Sequence, residues 1–330
     1  MTMHQLILGL AVVTLGCAGL IAAEPPEDRL SYTVVHGWPQ LPEGRTLGSA
    51  AGVGVTRQGT ILVFHRAYRT WSEPLPLDPI TAPTIAEFDI GSGKLLREWG
   101  AGLFAMPHGL SVDSQDNVWL TDVALHQVFK FSRAGKLLMT LGERGVPGAN
   151  KAHFNRPTDV AVLPDGSFYV SDGYRNTRVV KFSADGRFEF QWGEPGKGPG
   201  QFDTPHAIAL DEDGRVHVAD RENDRVQVFD SRGRFIAQWR NPDFGRPYSV
   251  AAIDSGHAVV ADGGEQPEAP PERSSVSVVS RTGDVVQRIG RWGNQDGQFM
   301  MAHDVAVDTA RNLYVVDIAG RRVQKFELRR

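Results

Sequence analysis

Residues 200–230 read GQFDTPHAIALDEDGRVHVADRENDRVQVFD and contain three short runs in which apolar residues recur at alternate positions. The runs AIAL, VHVA and VQVF are separated by an EDG turn and by a polar loop. A period of two residues is typical of strands, and short turns containing Gly or Asp join antiparallel strands. This stretch therefore predicts an antiparallel meander of short strands.

The meander is one copy of an internal repeat. Its first strand recurs as AAGVGVT (50–56), PHGLSVD (107–113), PTDVAVL (157–163), PHAIALD (205–211), PYSVAAI (247–253) and AHDVAVD (302–308). Equivalent residues of successive copies lie 42 to 57 positions apart, which leaves room for four short strands in each copy. Four-stranded sheets repeating at about this period are the blades of a β-propeller. We predict an all-β, six-bladed β-propeller over residues 47–326, closed by an outer strand from residues 31–38.

Three regions are expected along the chain: a signal peptide (1–23), an N-terminal segment that includes the ring-closing strand (24–46) and the propeller domain (47–330). Residues 5–23 carry no charged side chain and end in small residues, which is typical of a signal peptide. We therefore predict export to the periplasm or the medium. Cys17 follows Leu15-Gly16 in a partial lipobox, so lipid anchoring through Cys17 is an alternative.

The composition argues against several structural features and classes of function. Beyond the signal segment no run of about 18 apolar residues is available to span a membrane. Cys17 is the single cysteine, so the mature chain would have neither a disulfide nor a thiolate metal ligand. The formal net charge of −4 argues against general nucleic-acid binding.

One aligned position of the repeat holds residues that could bind a metal ion. At the start of the first strand, the six copies hold Ala51, His108, Thr158, His206, Tyr248 and His303. Alternate blades of a six-membered ring lie a third of a turn apart, so the three histidines should meet on the axis. Three neutral imidazoles with an open fourth position are typical of catalytic zinc, and iron or manganese would fit the same ligands. The alternative is that they are ordinary hydrogen-bonded residues of the channel.

The second strand of five copies ends in an aspartate: Asp122, Asp172, Asp220, Asp262 and Asp317. A carboxylate that recurs in this way is expected to cap the adjoining turn through backbone N–H groups. Strands one and two are antiparallel, so residues that follow this position share a face with the histidines. They include Arg66, Tyr174 and Arg221.

A tyrosine close to a dication and a guanidinium is favoured as phenolate, which would make Tyr174 a general base. Arg66 and Arg221 would suit a substrate carboxylate. The simpler interpretations are a packing tyrosine and two surface charges. Asp304 follows His303 and could accept hydrogen bonds, orient a ligand or bind a hard cation.

The copies resemble NHL repeats, and the chain more specifically resembles the peptidyl-α-hydroxyglycine α-amidating lyase family over about residues 47–326. The motifs that carry the resemblance are VFHR (63–66), PHGLSVD (107–113), TDVALHQVFKF (121–131), PTDVAV (157–162), VSDGYRNTR (170–178), GQFDTPHAIAL (200–210), VADREN (218–223) and AHDVAV (302–307). This resemblance implies a six-bladed propeller that cleaves a carbinolamide to an amide and glyoxylate. The source of the hydroxylated substrate stays open, and a separate hydroxylating monooxygenase is one candidate.

The resemblance also implies roles for residues of this chain. The zinc ligands fall on His108, His206 and His303, and the active-site tyrosine and arginines on Tyr174, Arg66 and Arg221. The ligands of a structural calcium fall on Asp304 and on the backbone of Val53 and Leu110.

One departure is the loss of disulfides found in animal members, whose cysteines match Asn155 with Arg175 and His217 with Val228. Two other functional classes stay open. One is a non-catalytic NHL-repeat binding scaffold, and the other is a propeller hydrolase of the lactonase type, which would bind calcium through Glu, Asn and Asp side chains.

Overall fold

The computed structural model describes residues 30–264 and 273–329. The predicted signal segment, including Cys17, lies outside these ranges. The described residues form twenty-four strands in six four-stranded antiparallel sheets, which are the six blades of a propeller. The predicted fold is therefore confirmed. Among the described residues, no helix is long and apolar enough to cross a membrane.

Each blade is a meander whose first strand lies innermost, next to the axis. The strands of blades one to three are β2 (Ala50–Val55), β3 (Thr60–His65), β4 (Ile85–Asp89), β5 (Leu95–Trp99), β6 (Pro107–Val112), β7 (Val118–Asp122), β8 (Gln127–Phe131), β9 (Leu137–Leu141), β10 (Asp159–Val162), β11 (Phe168–Asp172), β12 (Arg178–Phe182) and β13 (Phe188–Trp192).

Blades four and five consist of β14 (Pro205–Leu210), β15 (Val216–Asp220), β16 (Arg225–Phe229), β17 (Phe235–Trp239), β18 (Pro247–Ala252), β19 (His257–Asp262), β20 (Ser275–Ser280) and β21 (Val285–Ile289). Blade six consists of β22 (Ala302–Val307), β23 (Leu313–Asp317), β24 (Arg322–Arg329) and β1 (Ser31–Val34). β1 pairs antiparallel with β24, so a strand from the start of the described chain completes the last blade and closes the ring.

The core lies between the blades. Leu62 and Phe64 of blade one, for example, pack against Leu110 and Leu120 of blade two, and all four side chains are at most 3% exposed. Comparable clusters fill the other five blade interfaces. Each fully buried side chain of this size stabilises the fold by roughly 1.5–3 kcal/mol. Packing of neighbouring blades therefore holds the inner strands in a ring, including β22 against β2.

The repeated aspartates perform the structural role predicted for them. Asp122 is fully buried and accepts hydrogen bonds from the backbone of Ala105, Met106, Ala124 and Leu125. The other four likewise accept backbone N–H groups of neighbouring turns. These bonds fix the loops at one end of the channel.

Candidate active site

The three histidines converge on the axis, as the repeat predicts. His108, His206 and His303 are buried, and their ring centroids lie 4.8 to 5.0 Å apart. One nitrogen from each ring lies within 4.8 Å of the other two, a spacing at which all three can hold a metal ion. Their role as ligands stays a prediction.

A β-bulge aims each histidine at the axis. The register between the first and second strands shifts at His206, between Pro205 and Ala207, and in the same way at His303. In blade two the shift spans Pro107 to Leu110 and so includes His108. The extra residue at a bulge departs from the regular alternation of side chains along the strand, so its side chain points in a different direction from that of a regular strand residue.

The intervening blades orient the rings. Nδ1 of His108 lies 2.8 Å from the carbonyl oxygen of Thr158, and Nδ1 of His206 lies 2.6 Å from that of Tyr248. Nδ1 of His303 lies 2.7 Å from the carbonyl oxygen of Ala51. A carbonyl can only accept, so each Nδ1 carries the proton and each Nε2 keeps its lone pair for a metal.

Gly109 allows blade two to approach blade three closely at this level. A Cβ atom on Gly109 would lie 2.4 Å from the carbonyl oxygen of Thr158, which is the acceptor for His108. A larger residue would displace that carbonyl. The small residue next to His108 is therefore part of how the ring is held.

The environment keeps the imidazoles neutral. Burial lowers the pKa of His303 to about 3, and the positive charge of Arg66 adds to the effect. Burial also lowers the pKa of His108 and His206 well below the ordinary value, with further contributions from nearby positive charge. Neutral imidazoles are the form that binds metals.

Tyr174 lies against the same nitrogens. It sits in the loop after β11, and its Oη is 2.9 Å from Nε2 of His108 and 3.1 Å from Nε2 of His206. The phenol oxygen therefore lies where the open face of a three-histidine centre would be. This position suits a group that exchanges a proton with a metal-bound molecule.

The two arginines stand beside the tyrosine. The guanidinium of Arg221 lies 5.3 Å from the ring centre of Tyr174 and also contacts Glu222 through an ion pair of 2.8 Å. Arg66 is buried and donates from Nε to the carbonyl oxygen of Pro107 at 3.0 Å. Burial lowers the pKa of Arg66. None of the ion pairs among the described residues includes Arg66, so its charge is available for an anionic ligand.

A cavity of about 570 Å³ opens above these groups and is lined by Arg66, Tyr174, Arg221 and His303. Four of the six residues proposed for zinc binding and catalysis thus line one cavity, and the other two, His108 and His206, contact Tyr174. The sequence did not indicate that Trp71 also lines this cavity, because Trp71 belongs to an insertion outside the repeat pattern.

The predicted calcium ligands lie on the other side of the histidines. Val53, Leu110 and Asp304 line a cavity of about 270 Å³ in the channel. Asp304 accepts hydrogen bonds from Val53 N at 2.9 Å and from Ser249 Oγ at 2.7 Å. Burial away from water raises the pKa of the Asp304 carboxyl group to about 6.

Asp159 faces this second cavity and was missed by the sequence analysis. It follows Thr158 as Asp304 follows His303, three blades further round the ring. Asp159 accepts from Val160 N and Ile208 N, and Asp304 accepts from Val305 N and Val53 N in the same pattern. Burial and the charge of Asp304 raise the pKa of Asp159. Two enclosed carboxylates are hard oxygen donors of the kind that a hard dication prefers.

Fold and site together define an NHL-repeat β-propeller with a candidate three-histidine metal centre. Residues 104–131 match the family model for the NHL repeat, and residues 152–257 match a model described as a 6-bladed beta-propeller. A gluconolactonase structure from Xanthomonas campestris has a TM-score of 0.59 with this chain at 15% identity, covering 86% of this chain and 87% of that one. At that identity the likeness shows the fold alone.

Two relatives from Drosophila melanogaster are much closer in sequence. Peptidyl-α-hydroxyglycine α-amidating lyase 1 is 34% identical over 98% of this chain and 67% of its own length. Lyase 2 is 35% identical over 89% of this chain and 75% of its own length. The chain belongs to the peptidyl-α-hydroxyglycine α-amidating lyase family and is a lyase-like enzyme. It spans 35% of the length of a Xenopus laevis peptidyl-glycine α-amidating monooxygenase that it also matches.

Proposed function

We propose that the protein is a zinc-dependent lyase that cleaves the C–N bond of a peptidyl- or N-acyl-α-hydroxyglycine to an amide and glyoxylate. The observation that carries this proposal is the position of Tyr174 Oη, within 3.1 Å of two imidazole nitrogens of the three-histidine centre. Membership of the lyase family supports the reaction type.

His108, His206 and His303 would hold the zinc through Nε2. The fit rests on their geometry, because each Nδ1 is occupied by a carbonyl and three nitrogens face one space. When bound, the ion would polarise the hydroxyl oxygen of the substrate and acidify it.

Residues of the chain would then carry out the remaining steps. Arg66 would bind the carboxylate of the substrate, because its guanidinium lines the cavity and forms no ion pair within the described part of the chain. Tyr174, as phenolate stabilised by Arg221, would accept the hydroxyl proton. The C–N bond breaks as the hydroxyl oxygen becomes the aldehyde oxygen of glyoxylate. The proton returns to the amide nitrogen, so R–CO–NH–CH(OH)–COO⁻ yields R–CO–NH₂ and OHC–COO⁻.

The second cavity would hold a structural calcium ion. Asp304 and the backbone carbonyls of Val53 and Leu110 are the proposed ligands, and Asp159 is a further candidate. These residues come from blades one, two, three and six, so a shared ion would hold the inner strands of several blades together.

The test of the proposed function is a glyoxylate assay with N-benzoyl-α-hydroxyglycine. The purified protein should release glyoxylate and benzamide, lose the activity on chelation and regain it with zinc. A protein without stoichiometric metal and without glyoxylate release would instead be an NHL-repeat binding scaffold. A lactone substrate in a parallel assay distinguishes a hydrolase of the lactonase type.

We further propose that the chain is exported through residues 1–23 and acts on carbinolamides made by a separate hydroxylating monooxygenase. Determination of the N-terminus of the protein secreted by its host tests the first point. A start at Glu24 supports cleavage by a signal peptidase, whereas a lipidated Cys17 supports anchoring. An uncleaved Met1 contradicts both.

A further inference from the structure

The long connection between β3 and β4, residues 66–84, crosses one side of the catalytic cavity. We call it the blade-one loop. Its far end is fastened to the connection between β5 and β6, because Ile80 N donates to Phe104 O at 2.7 Å and Gly102 N donates to Ile80 O at 2.8 Å. Within the loop, Arg69 and Asp78 form an ion pair of 2.8 Å. The loop therefore has a defined path.

Nearer its start, the loop is attached through Glu73 to the segment that leads into blade three. The carboxylate of Glu73 receives two parallel hydrogen bonds from Arg156, at 2.7 and 2.9 Å, and Arg175 lies 3.8 Å away. Bidentate pairing of this kind is more specific in geometry than a single contact. Arg175 follows Tyr174 in the chain, and Tyr174 N donates to Arg156 O at 3.4 Å, so Glu73 ties the loop to the side of the cavity that holds Tyr174.

Two residues before Glu73, the loop presents Trp71 to the cavity. The Trp71 ring lies 5.5 Å from the ring of Tyr174, and the guanidinium carbon of Arg66 lies 5.3 Å from the Trp71 ring centre. The side chain is nevertheless 41% exposed, and Met301 and Ile318 line the same cavity. A large aromatic surface is thus held open beside the groups proposed to bind and cleave the substrate.

This arrangement bears on the substrate. With the carboxylate at Arg66 and the reacting carbon at Tyr174, the acyl side must extend into the remaining cavity, where Trp71 offers a large apolar surface beside Met301 and Ile318. Aromatic pairs contribute about 0.5–1.5 kcal/mol beyond the burial of their area. We propose that Trp71 is a specificity-determining residue that selects carbinolamides with an aromatic or bulky apolar group next to the amide carbonyl, and that Glu73 positions it.

This inference rests on the proposed function, and its test separates the two. The kinetics of glyoxylate release are compared for N-benzoyl- and N-acetyl-α-hydroxyglycine with wild type, Trp71→Ala and Trp71→Phe. Wild type should favour the benzoyl substrate. Trp71→Ala should lower kcat/KM for that substrate about 10-fold, mostly through KM, which corresponds to 1.4 kcal/mol. The acetyl substrate should change less than about 2-fold, and Trp71→Phe should retain the preference.

Glu73→Gln tests the positioning role without altering the aromatic ring. It should lower the ratio of kcat/KM for the benzoyl substrate to kcat/KM for the acetyl substrate. Asp185→Asn, which breaks an exposed ion pair with Arg187 in blade three, is the matched control. Equal losses on both substrates in Trp71→Ala, or an unchanged preference in Glu73→Gln, would contradict selection by a positioned Trp71.

Binding of unreactive N-benzoylglycine and N-acetylglycine, measured by calorimetry, gives a readout independent of turnover. If wild type releases no glyoxylate from either substrate, the proposed function fails. Tighter binding of N-benzoylglycine that Trp71→Ala abolishes still supports the selective surface. Equal binding of both compounds by wild type overturns it.

Discussion

The phenol oxygen of Tyr174 lies 2.9 Å from Nε2 of His108, although the two residues belong to different blades. The contact exists because His108 leaves the strand alternation at a bulge, whereas Tyr174 follows the end of β11 at the same end of the channel. The proposed general base and one proposed metal ligand are thereby placed within reach of one small substrate. Each can be altered without altering the other.

Substitution of Tyr174 by Phe tests its role as a base. The variant keeps the ring that packs against Trp71 and His108 but lacks the hydroxyl. Turnover should fall by about 10²–10⁴-fold, the range supplied by general base catalysis, with zinc content unchanged. Tyr314→Phe, which removes a hydroxyl bonded to Asp308 far from the cavity, is the control. Wild-type turnover in Tyr174→Phe would remove Tyr174 from the reaction.

Substitution of His206 by Ala tests the metal centre. Two imidazoles cannot complete the site, so zinc measured by elemental analysis should fall from about one equivalent to a small fraction. His36→Ala, which removes an exposed imidazole beside Asp296, should retain the metal. Full zinc occupancy in the His206 variant would show that the ion binds elsewhere.

Substitution of Asp159 by Asn tests the second cavity. Without a cation, removal of one of two facing carboxylates relieves repulsion, so the metal-free variant should melt no lower than metal-free wild type. Calcium should raise the Tm of wild type, and this increase should shrink in Asp159→Asn and vanish in Asp304→Asn. Asp165→Asn alters a surface turn and should preserve the increase. A full calcium effect in Asp159→Asn would exclude Asp159 as a ligand.

Much of this arrangement could be predicted because it depends on the repeat. The aligned position places His108, His206 and His303 on alternate inner strands. Closure of the six blades into a ring then brings their side chains together on the axis. The carbonyls that orient them belong to Ala51, Thr158 and Tyr248, and a backbone oxygen leaves no signature in residue type. The hydrogen-bond acceptors that orient the three imidazoles could therefore be found only from the structure.

Two side chains were missed for other reasons. Asp159 follows a threonine rather than a histidine, so nothing beside it indicated a site, although its alignment with Asp304 was visible. Trp71 lies in an insertion without repeat periodicity. Its position depends on the pairing of Glu73 with Arg156, which is 83 residues away in the chain. Contacts of that kind follow from tertiary structure and not from local pattern.

His65 links the repeat to a pH dependence of stability. It replaces the strand-ending aspartate of the other blades, and its Nδ1 accepts a hydrogen bond from Ala67 N at 3.1 Å. Burial lowers the pKa of His65 to about 4 from the unfolded value of 6.5. Its Nε2 has no hydrogen-bond partner among the described residues, so a charged ring would be poorly accommodated.

The contribution of neutral His65 to the free energy of unfolding is therefore fully present above pH 6.5. It is lost as the pH falls towards 4, because the unfolded chain then binds a proton that the folded protein does not. A shift of this size corresponds to about 3 kcal/mol of unfolding free energy. Asn at position 65 can accept the same hydrogen bond but does not titrate. Denaturant unfolding of chelator-treated protein should show a shallower decline between pH 6.5 and 4 for His65→Asn than for wild type. Identical slopes would mean that His65 does not control this part of the acid response.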